Sequence, residues 1–452
     1  MKLFTKIVLG ISILIVGGII AVPNIYNSKI DEYIVKSEKD FKDKGIDIEI
    51  KNTKDTYFNV KREYAVTITD SSFILKDIFK NFGTQLTTYQ IRKFKKNFDD
   101  TKFLFLINLP KYPSYQKDAI TISLKDFSTN IEKKLSKEKI GRDLLSFIDN
   151  KGIEVKISLD NFKIREARLK DIDLTLRNQD TTIKEYTKNI IVTFNDINKI
   201  KINIEKIDSN LQAKNSNYEF IVNSFFYNLN EKNDLNSIED IKIKNISLIQ
   251  NNFMNNNQFR FNDIKSNSIL ATKNDIFNLI NNLEIKNINM STPNLGIELN
   301  NIITKISFNN LKEKTIQNVI NSLDKGEKEK LYRNLEKLVN EGFLFNLDKV
   351  TIDSTKFSSP KNDFDFGKFS LHSTLNIKSN TLSLINTKTP QLLNYINSNL
   401  NIELLEKDVI QIMTKLKLPT DFLQYVRIEK DNAFIDAELK TNHIYVNKKM
   451  VL

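Results

Sequence analysis

The sequence predicts an α+β protein that is mainly β: an elongated, twisted antiparallel sheet with a few packed helices, preceded by one N-terminal transmembrane helix. Segments in which apolar and polar residues alternate recur along the 452-residue chain and predict the strands. Only seven prolines interrupt the chain, which favours continuous strands. A long uncharged segment near the first residue predicts the transmembrane helix.

This uncharged segment extends from Ile7 to Ser28. As a helix it would rise about 33 Å, enough to cross a hydrocarbon core of about 30 Å. We therefore expect residues 7–28 to be a transmembrane signal anchor and residues 1–6 to be a cytosolic n-region.

A cleaved secretory signal is the alternative, because Lys2 and Lys6 precede the apolar stretch. Cleavage after Ala21 would place Ile19 where a small residue is required, which favours retention of the segment. The lysines that follow the span weaken the positive-inside argument. Export of the long C-terminal part is nevertheless the simpler topology, which predicts a single-pass protein of the bacterial inner membrane with its C-terminal domain in the periplasm.

Helical spacing of apolar residues continues after the span, through Tyr33, Ile34 and Phe41, and Gly45 stands where a C-terminal cap would end a helix. This pattern predicts an amphipathic stalk helix over residues 29–45. The remainder, residues 46–452, is expected to form an extracytoplasmic β-rich domain.

The clearest strand patterns begin at once after the stalk. They occupy residues 46–50, 60–68, 153–157, 172–176, 200–204, 241–243 and 371–377.

Two of the β segments, Ile241–Leu248 and Leu283–Met290, resemble each other in sequence. Strand centres near 162, 202, 242 and 284 lie about forty residues apart, which indicates a repeated hairpin unit. The composition argues against a true repeat, because a chain rich in Ile, Lys and Asn contains similar short sequences by chance.

Helical patterns are fewer and mostly late. Residues 331–339 carry an apolar stripe closed by Gly342, and residues 404–416 carry another. Both stripes are expected to face the core. The chain is expected to end in a hairpin, with a turn at Thr441–Asn442.

Composition excludes several classes of function. The net charge is +12, but only nine of the 68 basic residues are arginine, and the lysines are scattered among acids, which argues against nucleic-acid binding. The densest basic run, Arg92–Phe98, is interpreted as a solvated helix face rather than a phosphate or lipid-headgroup patch. Absence of cysteine excludes disulfides, thiolate nucleophiles and cysteine-ligated metals.

Motifs for catalysis are weak, so no catalytic, cofactor-binding or metal-binding residue is predicted. His372 and His443 are interpreted as isolated surface histidines. Ser136 and Lys139 satisfy the S-x-x-K spelling of penicillin-recognising enzymes, but Lys440–Asn442 lacks the glycine of the companion K-T-G. Asp363 and Asp365 resemble part of a calcium loop, yet phenylalanines occupy ligand positions, which favours a turn before a strand.

Three segments resemble the YdgA-like family of inner-membrane-anchored bacterial proteins, a domain of unknown function. They are Ile48–Val60 after the anchor and stalk, the helix-to-strand passage Leu338–Ile352, and the ending Ala437–Met450. The resemblance implies an anchored envelope domain and no activity or catalytic residue.

The leading functional hypothesis is a non-enzymatic envelope protein, anchored in the inner membrane through residues 7–28, that binds a partner or an apolar ligand through its sheet. One alternative is a lipid-handling protein with an open apolar trough. A second is an envelope hydrolase, which would need acids such as Asp171 and Asp173 to converge. The expected partner is a lipid or an envelope protein, without cofactor or nucleic acid.

Overall fold

The structure is a computed structural model that describes most of the chain. The described residues are 42–43, 45–57, 59–73, 88, 91–92, 95, 99–110, 120–127, 136–160, 163–196, 198–233, 235–252, 256–324, 326–360, 363–379, 395–416, 420–440 and 443–451. The expected n-region, transmembrane anchor and most of the stalk lie outside them. Within these ranges, no helix has the length and apolar character needed to cross a bilayer.

The protein is mainly β, with antiparallel strands and a few helices, as the alternating patterns predict. Contacts between residues divide the chain into two compact units. Unit 1 comprises residues up to Ile197 together with Ile202–Asn217, and unit 2 comprises Asn198–Lys201 and Tyr218–Leu452.

The elements of unit 1 that the structure describes from end to end are antiparallel strands and one helix. Its elements are β1 (Ile46–Asp55), β2 (Asn59–Ile68), β3 (Thr101–Pro110), β4 (Ile120–Phe127), α1 (Lys139–Asp149), β5 (Glu154–Asp160), β6 (Lys163–Leu169), β7 (Ile172–Arg177), β8 (Thr181–Lys188), β9 (Ile190–Asp196) and most of β10 (Lys199–Ala213). Pairing follows the order β1–β2–β3–β4–β5–β6–β9. Strand β10 pairs with β9 and β8, and β8 pairs with β7.

The core of unit 1 lies between helix α1 and the strands. Leu144 and Ile148, four residues apart on one helix face, are buried against Leu124 and Leu176. Leu176 is 0% exposed. The sequence analysis did not predict helix α1, because its first turn contains Gly141 and it begins after Glu138, which forms no side-chain capping hydrogen bond.

The described part of unit 2 has longer strands, three further α-helices and a 3-10 helix. Its elements are most of β11 (Ser216–Asn233), β12 (Asn236–Asn252), β13 (Asn256–Lys273), β14 (Ile276–Thr292), β15 (Leu295–Lys312), α2 (Glu313–Asp324), α3 (Lys328–Glu341), β16 (Phe343–Ile352), β17 (Ser354–Ser358), β18 (Asp363–Phe366), β19 (Phe369–Ile377), β20 (Ile396–Leu405), α4 (Glu406–Leu416), a 3-10 helix (Thr420–Tyr425), β21 (Arg427–Glu429), β22 (Asn432–Lys440), β23 (His443–Val446) and β24 (Lys449–Met450).

Antiparallel pairing in unit 2 runs β12–β13–β14–β15. Strand β15 then divides its outer edge, pairing with β16 along 303–309 and with β17 along 296–300. From β16 the order continues β19–β20–β22, with β18 on β17 and with β21 and β23 on β22.

The helices of unit 2 cover apolar rows of its sheet. Helices α2 and α3 pack Ile320 and Leu338 over Leu279 and Phe308, beside the buried Phe277. Helix α4 packs at another place, where its residues Val409 and Met413 cover Val426 and Ala433.

The register places Ile241–Leu248 and Leu283–Met290, which resemble each other in sequence, in matching rows of the sheet. Both segments lie two strands apart and run in the same direction. Through β13, each residue of the first shares a row with its counterpart in the second: Asn245 faces Asn262, which faces Asn287. The expected centre near 162 falls outside the described residues, between β5 and β6.

Two helix expectations need correction. Leu404 lies in β20, paired with Phe369 and Ala433, so the late helix begins only at Glu406. The stripe of α3 is not wholly core-facing, because Leu335 is 41% exposed.

Both ends of the predicted β region agree with expectation. Gly45 has φ +74° and its N–H donates to the carbonyl of Lys42 at 3.0 Å, as a C-cap requires. The terminal hairpin forms from β22 and β23, in which Lys440 faces His443.

We predict that Leu176→Ala lowers the free energy of unfolding by about 2–5 kcal/mol, because it leaves a cavity in the core of unit 1. Urea denaturation followed by far-ultraviolet circular dichroism measures this. Leu335→Ala is the control and should cost under about 1 kcal/mol, since that side chain is already partly exposed. Equal losses in the two variants would contradict the assignment of this core.

Candidate functional site

The two histidines are exposed, as predicted. Nδ1 of His372 lies 2.9 Å from the carbonyl oxygen of Asp348. The ring of His443 meets that of Tyr445 edge-on, with 6.3 Å between centroids. The structure therefore places them on different strands, in unrelated surroundings.

The other sequence motifs do not assemble a site either. Ser136 and Lys139 are exposed at the start of α1, where Arg142 donates to the carbonyl of Ser136 at 3.1 Å. Asp363 and Asp365 lie within β18, which corrects the expected turn. The rings of Phe364 and Phe366 stack with 5.7 Å between centroids, and Phe364 meets Phe357 of the paired strand β17 edge-on, also at 5.7 Å.

The acids proposed for a hydrolase are exposed. Asp171 accepts a hydrogen bond from the backbone N–H of Asn189 at 2.8 Å. From the basic run, Lys95 lies 2.9 Å from a carboxylate oxygen of Asp70, so it contributes to a local ion pair. In the described part of the chain, no three side chains of His, Asp or Glu lie close enough together to hold a metal.

One buried acid, Glu185 on β8, has an unusual environment that the sequence did not reveal. Burial, together with the nearby charge of Asp208, raises the pKa of Glu185 to about 7. Ser209 opposes this by donating a hydrogen bond to the carboxylate at 2.7 Å. Glu185 lies opposite Leu174 of the apolar core, so its environment is that of a structural group.

A row of asparagines crosses the sheet of unit 2, and its amides bond to one another from strand to strand. We call this set of five the asparagine row. It consists of Asn223 (β11), Asn245 (β12), Asn262 (β13), Asn287 (β14) and Asn300 (β15).

Each member of the asparagine row donates to the next strand. Asn245 donates to Asn262 at 2.7 Å, Asn262 donates to Asn287 at 3.2 Å, and Asn287 donates to Asn300 at 2.7 Å. Asn223 donates to Asn245 at 3.4 Å. Because an amide both donates and accepts, one residue type can form a continuous chain of hydrogen bonds.

Residues in the left-handed region lie directly after this row on alternate strands. Ser224, Asp263 and Asn301 have φ of 51°, 49° and 50°. Asparagine and aspartate tolerate this conformation better than other residues with a Cβ. The backbone is therefore bent at the same place across β11, β13 and β15.

The apolar face of the sheet changes sides at the asparagine row. In β14, Leu283 and Ile285 share one face with Asn287, while Glu284 and Lys286 point to the other. Beyond Asn287 the pattern reverses, and the apolar side chains point to the second face. We call the face that α2 and α3 cover the helix-side face and the other the opposite face.

On the opposite face, the apolar side chains beyond the asparagine row form what we call the apolar band. Its row positions follow from the strand register, because residues paired across antiparallel strands share a face. The apolar band consists of Phe220, Val222, Ile246, Leu248, Phe259, Phe261, Ile288, Met290, Ile297, Leu299, Phe357 and Phe364.

The apolar band is partly open to solvent. Phe220 is 40% exposed and Leu248 is 45% exposed, whereas Val222 is buried. The remaining members are half-buried. Contacts of α2 and α3 with the sheet involve the helix-side rows near Leu279 and Phe308, so these two helices pack elsewhere.

No known family model, curated protein or solved structure matches the chain. The YdgA-like resemblance therefore stays a prediction from the sequence.

The sequence carried one signal for this site. Asn245 and Asn287 stand at matching positions of the repeated segments, each between a lysine and an isoleucine. The reversal of the apolar pattern is also present in β14 taken alone. Only the register, however, brings Asn262 and Asn300 into the same row.

We predict that Asn262→Ala lowers the free energy of unfolding by about 1–2 kcal/mol, since it removes one hydrogen-bond donor and one acceptor from the row. Asn256→Ala, at the exposed start of the same strand, is the control and should cost less than about 0.5 kcal/mol. Urea denaturation measures both. A loss at Asn262 no larger than at Asn256 would show that the row contributes no stability.

Stability should also depend on pH through Glu185. Its pKa in the folded protein, about 7, lies above the ordinary 4.5, so the unfolded chain loses this proton first as the pH rises. The free energy of unfolding should therefore fall between pH 4.5 and 7, by on the order of 3 kcal/mol. Glu185→Gln should remove this fall in stability. Glu329→Gln, on the exposed face of α3, is the control and should leave the fall unchanged. Denaturation midpoints measured at several pH values test both expectations.

Proposed function

We propose that this chain is a non-enzymatic, membrane-anchored protein of the bacterial envelope that binds the acyl chain of a lipid on the apolar band. The partial exposure of Phe220 and Leu248, in line with half-buried apolar residues on neighbouring strands, is the observation that supports this most strongly. Contiguous exposed apolar surface of this kind marks a binding site more often than chance placement does.

On the helix-side face, a comparable apolar surface is covered by the protein's own helices. There, apolar rows around Leu279 and Phe308 are covered by α2 and α3 through Ile320 and Leu338. Removing such rows from water stabilises the protein by about 25 cal/mol per Å². The same gain is available to a ligand that covers the apolar band.

The dimensions of the apolar band fit an extended acyl chain. From β11 to β17 it crosses five inter-strand steps, which amount to roughly 24 Å at the usual strand spacing. Half of a bilayer's hydrocarbon core, the depth that one acyl chain fills, is about 15 Å. An acyl chain lying across the strands would therefore contact several of them at once.

The chemistry of the apolar band favours an acyl chain over a protein partner. Its side chains are Phe, Ile, Leu, Met and Val, which offer no hydrogen bonds. The residues that carry most of the binding energy at protein interfaces are enriched in Trp, Tyr and Arg, none of which the band contains. Such interfaces also pair polar groups around a hydrophobic centre. A protein partner is the second candidate, and the experiment below separates the two.

The expected anchor supports the same proposal. A transmembrane segment at residues 7–28 would hold the sheet beside the periplasmic surface of the inner membrane, where lipids are the most abundant apolar ligands. The proposed YdgA-like membership agrees with this location.

We predict that a photoreactive amino acid placed at position 248 in the full-length chain crosslinks to lipid in cells. Mass spectrometry of the crosslinked products identifies the occupant. Position 260 is the matched control, because Arg260 is exposed on the neighbouring strand but lies on the helix-side face.

Lipid adducts at position 248 and not at 260 are the expected result. Equal lipid labelling at both positions would show that both faces of the sheet contact lipid, and that the apolar band is not a specific site. Adducts to a protein at position 248 would replace the lipid proposal with the protein-partner alternative.

A further inference from the structure

On the opposite face, the apolar band is bordered by lysines. In β12, Lys244 lies two residues from Ile246 of the band, and in β14, Lys286 lies two residues from Ile288. Residues two apart in a regular strand share a face. These lysines therefore point to the same side of the sheet as the band itself.

A second row of charged side chains lies two residues farther along the strands. Lys242 of β12 faces Lys265 of β13, which faces Glu284 of β14. We call Lys242, Lys244, Lys265 and Lys286 the lysine strip. All four are exposed.

The lysine strip is only loosely neutralised by its own surroundings. Nζ of Lys286 lies 3.7 Å from Asp263, and Nζ of Lys265 lies 3.7 Å from Glu284. Lys242 lies over the ring of Phe226, with 5.7 Å between its Nζ and the ring centroid. Exposed pairs of this kind contribute little stability, so a ligand anion can replace them at small cost.

Charge at the border is therefore positive on balance, with four lysines against Asp263 and Glu284. The next acid along β12, Asp240, already accepts hydrogen bonds from the amides of Asn267, at 2.6 Å, and Asn228, at 3.4 Å. On the helix-side face, the matching border is the asparagine row, which is neutral. The two borders thus differ in charge although they belong to the same strands.

We propose that the ligand of the apolar band is a lipid with an anionic headgroup, held with its acyl chain across the band and its phosphate on the lysine strip. This inference rests on the proposed function, because it needs the band to bind an acyl chain. Lysine is a strongly hydrated point charge that contacts phosphate without fixed geometry, which suits recognition of charge rather than of one headgroup structure.

The chain contains no tryptophan, so Leu248→Trp introduces a single reporter into the apolar band. The full-length chain carrying this substitution is held in a non-ionic amphipol and titrated with dihexanoyl phosphatidylglycerol, with dihexanoyl phosphatidylcholine and with inorganic phosphate. The shift of the tryptophan emission to shorter wavelength reports contact with acyl chains.

The anionic lipid should bind on the order of tenfold more tightly than the zwitterionic one, as expected for two lysines near one phosphate. Lys244→Gln combined with Lys286→Gln should reduce this preference to about twofold or less. Lys244→Arg combined with Lys286→Arg should retain it, which separates loss of charge from loss of folding. Arg260→Gln, on the helix-side face, is the control and should leave the preference unchanged.

Equal affinity for the two lipids in the parent would overturn the headgroup inference and leave the proposed function standing. A preference that survives the double glutamine variant would overturn the assignment to the lysine strip. No emission shift with either lipid would overturn the proposed function itself. Competition by inorganic phosphate as strong as that by the anionic lipid would show a free-anion site and contradict the lipid.

Discussion

The hydrogen bonds of the asparagine row are the constraint on which the sheet of unit 2 depends. Side chains alternate along a strand with period two, so a slip of one residue would exchange the two faces. A row in which Asn245, Asn262 and Asn287 each donate to the amide of the next strand is satisfied in one register only. The row thereby determines which apolar side chains lie next to one another, both before and beyond it along the strands.

Reversal of the apolar pattern at this row gives one sheet two apolar surfaces on opposite faces. The protein covers one with α2 and α3, through contacts such as Leu338 with the rows at Phe308. The other, the apolar band, keeps Phe220 and Leu248 partly exposed. A bordering strip of lysine makes that open surface apolar along its length and cationic along one edge, and the proposal of an anionic lipid rests on this combination.

Alternation alone predicted the class of fold, because strands such as β2 and β7 present one apolar and one polar face, each readable without any partner. Boundaries were less accurate: Leu404 continues an apolar stripe into α4, yet it is held in β20 by pairing with Ala433. Helix α1 was missed because its first turn contains Gly141 and its start has no side-chain cap. The asparagine row depends on the register between strands, which no single segment contains. The resemblance between the segments around Asn245 and Asn287 indicated only two of its five members.

Exchange of the faces is tested most directly by scanning β14 with an environment-sensitive fluorophore, attached to single cysteines in a chain that has none of its own. Positions 283 and 285 should report apolar surroundings and 284 and 286 polar ones. Beyond Asn287 the order should invert, with apolar surroundings at 288 and 290 and polar ones at 289 and 291. One unbroken alternation through position 291 would contradict the account.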